Sequence, residues 1–309
     1  MSSTAHESQI NRTAIYVSLA LAVALVLGVV IGARMYFERV ALAPVAMPEL
    51  PAPQADSPEC AEFIAGLPQQ VLGHSRAEVA DPAPAGTAAW QSSSTERVTL
   101  RCGVEMPEQY NEYAVTHEVD GVRWMRVDDV TPQSNLSTWY TVDRSPVVAV
   151  TADRSQVDEG DSPASELNAA ALPKEDQAPR PAPLADLETA GDAARCDELL
   201  SAVPAELAEG YAPVDAKSEN TAVWVAEGKD PIVLRCGVAA PRNYGPGAQL
   251  TQINEVPWFE DVVLANGTTS AVWYALGRDT DIAASIPQAE SNEAITRLTN
   301  LIAAHTGEQ

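Results

Sequence analysis

Residues 14–33, AIYVSLALAVALVLGVVIGA, are an unbroken apolar run without a charge; past residue 56 the pattern changes to short alternating stretches that occur twice. In the first set, Val98, Leu100, Cys102 and Val104 alternate with polar neighbours. Ile232, Leu234, Cys236 and Val238 repeat the alternation. Period two predicts a strand with one buried face, so both cysteines point into a core, and Arg101 and Arg235 point away from it. The correspondence extends to Trp90, Trp124 and the pair Trp139–Tyr140, which return as Trp224, Trp258 and Trp273–Tyr274. Upstream, CAEFIAGLP from Cys60 returns as CDELLSAVP from Cys196. A fixed offset held by Cys, Trp, Gly and Pro means two copies of one folding unit.

Each copy reads as an opening helix followed by strands. Ser57 and Pro58 supply an N-cap and a proline at the first helical position. That helix carries Cys60, Phe63, Ile64 and Leu67 and stops at Pro68; its counterpart opens at Asp192, carries Cys196, Leu199, Leu200 and Val203, and stops at Pro204. A hairpin follows, 88–91 with 97–104 and again 222–226 with 232–238. A second hairpin turns at Asp120-Gly121, a favoured two-residue turn. Its counterpart contains Pro257, which predicts an edge strand. Last strands are expected over 138–142 and 147–151, and over 271–276 and 282–284. Ile295, Leu298 and Ile302 make one stripe of a closing amphipathic helix, with 163–171 as its degenerate counterpart. The fold class is α+β: a transmembrane helix, then two tandem disulfide-bonded domains, each an opening helix plus an antiparallel sheet.

The expected division is a cytoplasmic tail (1–13), an anchor (14–33), a Pro/Ala stalk (34–56) and a first repeat (57–152). An acidic Pro/Ala-rich linker (153–190), a second repeat (191–287) and a C-terminal helix and tail (288–309) follow. The stalk should be extended and stiff, holding the first domain off the bilayer. The linker's composition buries too little apolar surface to order itself fully.

As a helix the apolar run is about 30 Å long, which matches the hydrocarbon core of a bilayer. It is longer than the apolar region of a cleaved signal peptide, and the nearest A-x-A triplet, Ala41-Leu42-Ala43, precedes Pro44. An uncleaved anchor is the reading adopted. Arg34 and Arg39 after the span outnumber Arg12 before it, which points the bulk of the chain inward. Four cysteines in two repeated pairs argue the reverse, because paired cysteines belong to an oxidising compartment. The cysteines carry more weight, so the expectation is a single-pass membrane protein with a cytoplasmic N-terminus and extracytoplasmic domains. Of the three pairings open to four cysteines, the duplication selects Cys60–Cys102 and Cys196–Cys236. Each would close a loop of about forty residues and contribute roughly 4 kcal/mol on chain-entropy grounds.

A net charge of −24 repels phosphate backbones, and no basic stripe offsets it, so nucleic acid is excluded as a partner. The membrane is contacted through residues 14–33. The residues show no nucleophile elbow, zinc-ligand helix or phosphate-binding glycine loop, and neither cofactor nor metal is expected. Asp128-Asp129 resembles a paired carboxylate, but its counterpart is Val262-Val263, which favours a solvated loop. The acidic DEGD at 158–161 reads as linker. Asn135-Leu136-Ser137 and Asn266-Gly267-Thr268 fit a glycosylation pattern. The six tryptophans read first as core, each indole N–H finding a carbonyl. In the adjacent pairs Trp139–Tyr140 and Trp273–Tyr274 one ring of each should face outward, where it could stack on a sugar. Arg101, Arg235, Arg144 and Arg278 are the polar residues both copies share. Cross-strand hydrogen bonding is their first reading, and an anion-binding face with the aromatics is the second.

A single anchor, the C…LP helix, a Trp before LRCGV…P, a V-x-W hairpin and a late aromatic–Arg strand together resemble an uncharacterised family of actinobacterial exported proteins, domain of unknown function 3515. The likeness covers about 60–150 and 196–285, so this chain carries two copies. It implies an envelope location and a disulfide domain centred on RCG, and carries no activity, substrate or catalytic residue. The expected function is a non-catalytic interaction or scaffold module of the cell envelope with a protein partner. The alternative is a module binding an envelope glycan or lipoglycan. A hydrolase is the last choice, needing a base from Asp128, Asp129 or His117.

Overall fold

The computed structural model describes residues 12–41, 43–157, 162–190, 194–261 and 270–308. An N-terminal helix, α1 (Arg12–Ala41), precedes two antiparallel sheets. Among the described residues α1 is the one helix long and apolar enough to cross a membrane, and its span Ile15–Tyr36 is buried against nothing.

The first sheet contains β1 (Gln70–Val71), β2 (His74–Ala77), β3 (Thr87–Gln91), β4 (Arg97–Cys102), β5 (Thr116–Val119), β6 (Val122–Asp128), β7 (Leu136–Thr141) and β8 (Val148–Asp153). Its order is β1-β2-β3-β4-β8-β7-β6-β5. The second contains β9 (Ala212–Val214), β10 (Thr221–Val225), β11 (Ile232–Cys236), β12 (Thr251–Ile253), β13 (Val256–Asp261), β14 (Ser270–Ala275) and β15 (Ile282–Pro287), ordered β12-β13-β14-β15-β11-β10-β9. The two registers coincide. Trp90 faces Val98 as Trp224 faces Ile232, and Cys102 faces Val148 as Cys236 faces Ile282.

The opening helices are α2 (Pro58–Gly66) and α3 (Ala194–Ser201). Ser57 caps α2, its hydroxyl accepting from the Cys60 N–H at 3.2 Å. The cysteines bridge Cys60–Cys102 and Cys196–Cys236, with Cα separations of 5.6 and 5.8 Å. Each bridge joins an opening helix to the middle of its sheet, inside a core that also holds Trp90 and Trp124 in the first copy and Trp224 and Trp258 in the second. The second core is closed by α4 (Ser291–His305), which buries Ile295, Leu298 and Ile302. In the first copy two 3-10 turns, Pro163–Glu166 and Ala169–Ala171, stand at that place and bury Ala164, Leu167 and Ala169.

Several expectations are revised. The β1–β2 hairpin has no counterpart among them; its turn, Leu72-Gly73, has both φ angles positive. Pro257 sits in an interior strand, not at an edge. It falls at the end of the β13–β14 pairing, where its carbonyl accepts from the Leu276 N–H, so the missing N–H removes only the last bond of that ladder. Residues 43–52 are extended and 53–56 form a turn, but they do not hold the first domain away from α1. Val45 is buried and bonded to Glu78 and Ala80, four residues past the end of α1. The described part of the acidic linker is also ordered, because Leu167 and Leu172 pack on the first core and Ala182 and Leu184 on the second sheet. The acidic run 158–161, the Asp192 helix start, the Asn266 triplet and Val262-Val263 lie outside the described residues.

Candidate functional site

The RCG triplet organises each copy in the same way. Before the opening helix the chain lies across the outer face of the sheet as a strap. In the first copy an Arg101 Nη donates to the Pro48 carbonyl (2.5 Å); in the second, Arg235 donates to the carbonyls of Leu184 (2.7 Å) and Ala185 (3.1 Å). The cysteine turns inward to its disulfide. The glycine carbonyl then accepts from the end of the strap, Gly103 from the Gln54 N–H and Gly237 from the Ala190 N–H. Gly103 has φ +85, and a Cβ there would lie 2.3 Å from Gln54 and Ala55, so both backbone and space require glycine. The expected cross-strand role of Arg101 and Arg235 is thus replaced by a hold on the strap.

Between strap and sheet runs a cleft of about 540 Å³, lined by Leu50, Thr99, Arg101, Met106, Tyr140 and Arg180 among others. The same place in the second copy is a cleft of about 310 Å³ bounded by Leu187, Glu188, Arg242 and Tyr274. Burial pushes the hydroxyl pKa of Tyr140 above its usual value, and desolvation lowers that of the Arg101 guanidinium. Arg180 pairs with Glu108 at 2.5 Å, and Arg242 with Glu188 at 2.7 Å.

Arg101 and Tyr140 therefore share a cleft, and Tyr274 borders its counterpart in the second copy, but the remaining aromatic and arginine side chains proposed for this face are elsewhere. Trp139 is in the first core and Tyr274 is buried; Trp273 is half-buried against the second core. Arg144 is buried, donating to the Gly121 and Asp143 carbonyls and pairing with the Asp143 carboxylate at 2.9 Å. Arg278 is buried too, and holds the C-terminal end of α4 through the Thr306 hydroxyl at 2.9 Å. Both are structural anchors. The indoles of Trp90 and Trp224 donate to the carbonyls of Pro68 and Pro204, which follow the opening helices; α3 ends at Ser201, short of the expected stop at Pro204.

A second cluster, absent from the sequence reading, lies between the copies. The Asp128 N–H donates to the Gly228 carbonyl (2.8 Å), and the Asp128 carboxylate accepts from Arg126 (2.9 Å), Arg154 (2.6 Å) and Ser137 (2.6 Å). Arg126 and His117 also reach Glu227, at 3.0 and 3.5 Å. Tyr113 packs on Val223 and Val233 of the second sheet, and its hydroxyl accepts from the Lys217 N–H. The Asp128-Asp129 pair is therefore neither a solvated loop nor a free acid/base couple: Asp128 fastens the two copies. Its carrying no counterpart in the second copy was the signal available, since a contact between unlike surfaces needs each residue once. The Asp129 pKa is lowered by the Ser134 side chain and then by the Thr131 N–H and hydroxyl, from both of which the carboxylate accepts.

The chain matches the family described as protein of unknown function, DUF3515, over residues 19–178 and again over 167–309, and it belongs to that family. No curated protein and no solved structure matches it. The apolar N-terminal helix, anchor or export signal, together with two disulfides, marks an extracytoplasmic protein that is secreted or membrane-anchored.

Proposed function

We propose that this protein is a single-pass, membrane-tethered interaction module of the cell envelope, with α1 retained as the anchor, the N-terminus cytoplasmic and both repeats outside. The observation that carries the reading is the arrangement of the two copies. They are fastened to one another through Asp128, Glu227 and Tyr113 and tied to α1 by a short bonded strap. Such a body presents fixed surfaces at a short, set distance from the bilayer, which suits recruitment of a protein partner. A non-catalytic role is part of this proposal, because two of the three bases considered are engaged: the Asp128 carboxylate is held by Arg126, Arg154 and Ser137, and His117 faces Glu227 of the other copy. Photo-crosslinking in intact cells from positions on the exposed faces should capture a discrete envelope protein. Capture of none, with no change in the envelope on deletion, would remove the reading.

The cleft holding Arg101 and Tyr140 favours a second reading, binding of an envelope glycan or lipoglycan, since an aromatic ring beside a cation suits a sugar carrying an anion. Binding to purified wall fractions should then fall at least tenfold in Tyr140→Ala.

A further inference from the structure

The two copies differ most where the second is closed by α4, and three twin residues show what the first copy lacks there. Trp258 donates its indole N–H to the Thr299 hydroxyl of α4 at 2.9 Å; the indole N–H of its twin Trp124, itself only 2% exposed, has no acceptor among the described residues. Arg278 places its Nε on the Thr306 hydroxyl, whereas the Nε of its twin Arg144 is buried without a partner. Glu198 of α3 faces His305 at 3.6 Å, and its twin Glu62 lines an open groove. That groove, about 370 Å³, runs along α2 between Phe63, Leu67 and the second 3-10 turn. Buried N–H groups without acceptors are costly, and two at matched positions of a duplicated fold point to something missing.

We propose that the first copy receives an amphipathic helix of a partner protein, which docks along α2 in the place α4 occupies in the second copy. This deepens the interaction-module reading and rests on it. The chemistry of the partner helix follows from α4. Its apolar stripe would cover Phe63 and Leu67. Two hydroxyl residues seven apart, as Thr299 and Thr306 are, would accept from Trp124 and Arg144. A basic residue just before the second hydroxyl, in the position of His305, would meet Glu62, with Glu59 adding negative charge to the rim. To admit it the 3-10 turns would have to release Ala164, Leu167, Ala169 and Leu172 from the first core. They are short elements of poor hydrogen-bond geometry, and they bring no hydroxyl to either orphan. The α4 of this chain is not the occupant, since its own apolar face is buried in the second core.

The test uses a fluorescent peptide of residues 291–306 as the probe, against the full chain in nanodiscs. Expected is saturable binding in the micromolar range, with the Trp124 indole N–H resonance, assigned with Trp124→Phe, moving downfield. Gly66→Trp places an indole in the groove from a position where a Cβ meets nothing within 4 Å, and it should weaken binding at least tenfold while leaving the unfolding midpoint unchanged. Glu62→Lys should weaken it several-fold at low salt. No binding, binding indifferent to Gly66→Trp, or binding that leaves Trp124 unmoved would each overturn the proposal. So would a dimer formed by exchange of α4 between chains. A partner crosslinked in cells equally well by wild type and Gly66→Trp would sink this inference and leave the interaction-module reading standing.

Discussion

Gly228 and Asp128 give a direct test of whether the two copies are fastened as described. Gly228 has φ +77, and a Cβ added there would lie 2.4 Å from the Asp128 carboxylate. Gly228→Ala therefore carries two costs: a left-handed backbone on a residue with a Cβ, about 1–2 kcal/mol, and overpacking against Asp128, about 1–3 kcal/mol. Their sum is about 3 kcal/mol. Asp128→Ala removes the ion pairs with Arg126 and Arg154 and the Ser137 bond. Because the Arg126 and Arg154 side chains are 23% and 36% exposed, the loss is discounted to roughly 2 kcal/mol. In the double variant the methyl group enters the space Asp128 has left, so adding Gly228→Ala to Asp128→Ala should cost only the backbone term. The expected coupling is about 2 kcal/mol, measured by urea unfolding of the full chain in detergent and followed by tryptophan fluorescence. Strictly additive effects would refute the contact between the copies.

Three further outcomes follow from the same geometry. Arg235→Lys cannot span the Leu184 and Ala185 carbonyls with a single ammonium; it should lower stability by roughly 1 kcal/mol and speed hydrogen exchange at the Ala190 amide. Burial raises the Asp281 pKa, so the fold favours the protonated acid and loses stability as pH rises through its unfolded value near 4; Asp281→Asn should raise Tm at pH 7 and leave it unchanged at pH 3. Reduction of Cys196–Cys236 should lower the unfolding free energy of the second copy by roughly 4 kcal/mol in a two-state fit, with Cys196→Ser/Cys236→Ser giving the same loss without reductant.

What could be read from the sequence was whatever is local or repeated. The Ser57-Pro58 cap, the alternation through Cys102 and Cys236 and the positive-φ Asp120-Gly121 turn all follow from near neighbours. The disulfide pairing followed from duplication. The order of the strap does not show in composition, because one buried valine, Val45, and Arg101, 53 residues beyond the Pro48 carbonyl it holds, supply it. The linker orders for the same reason: Leu167 and Leu172 find a surface that belongs to another part of the chain. The β1–β2 hairpin escaped because a two-residue strand is too short to alternate. For the candidate face, adjacency of Trp139 and Tyr140 correctly set them on opposite sides of β7, one in the core and one in the cleft. In β14 the inference failed, since Tyr274 is covered by Leu184 and Leu187 of the linker strap.

The account stands on two separately bridged copies lying outside the cytoplasm. Intact cells treated with a membrane-impermeant maleimide measure this most directly. Without reductant none of Cys60, Cys102, Cys196 and Cys236 should react, and after brief reduction and unfolding all four should. Labelling of unreduced thiols by a permeant reagent alone would place the copies in the reducing interior and contradict the account.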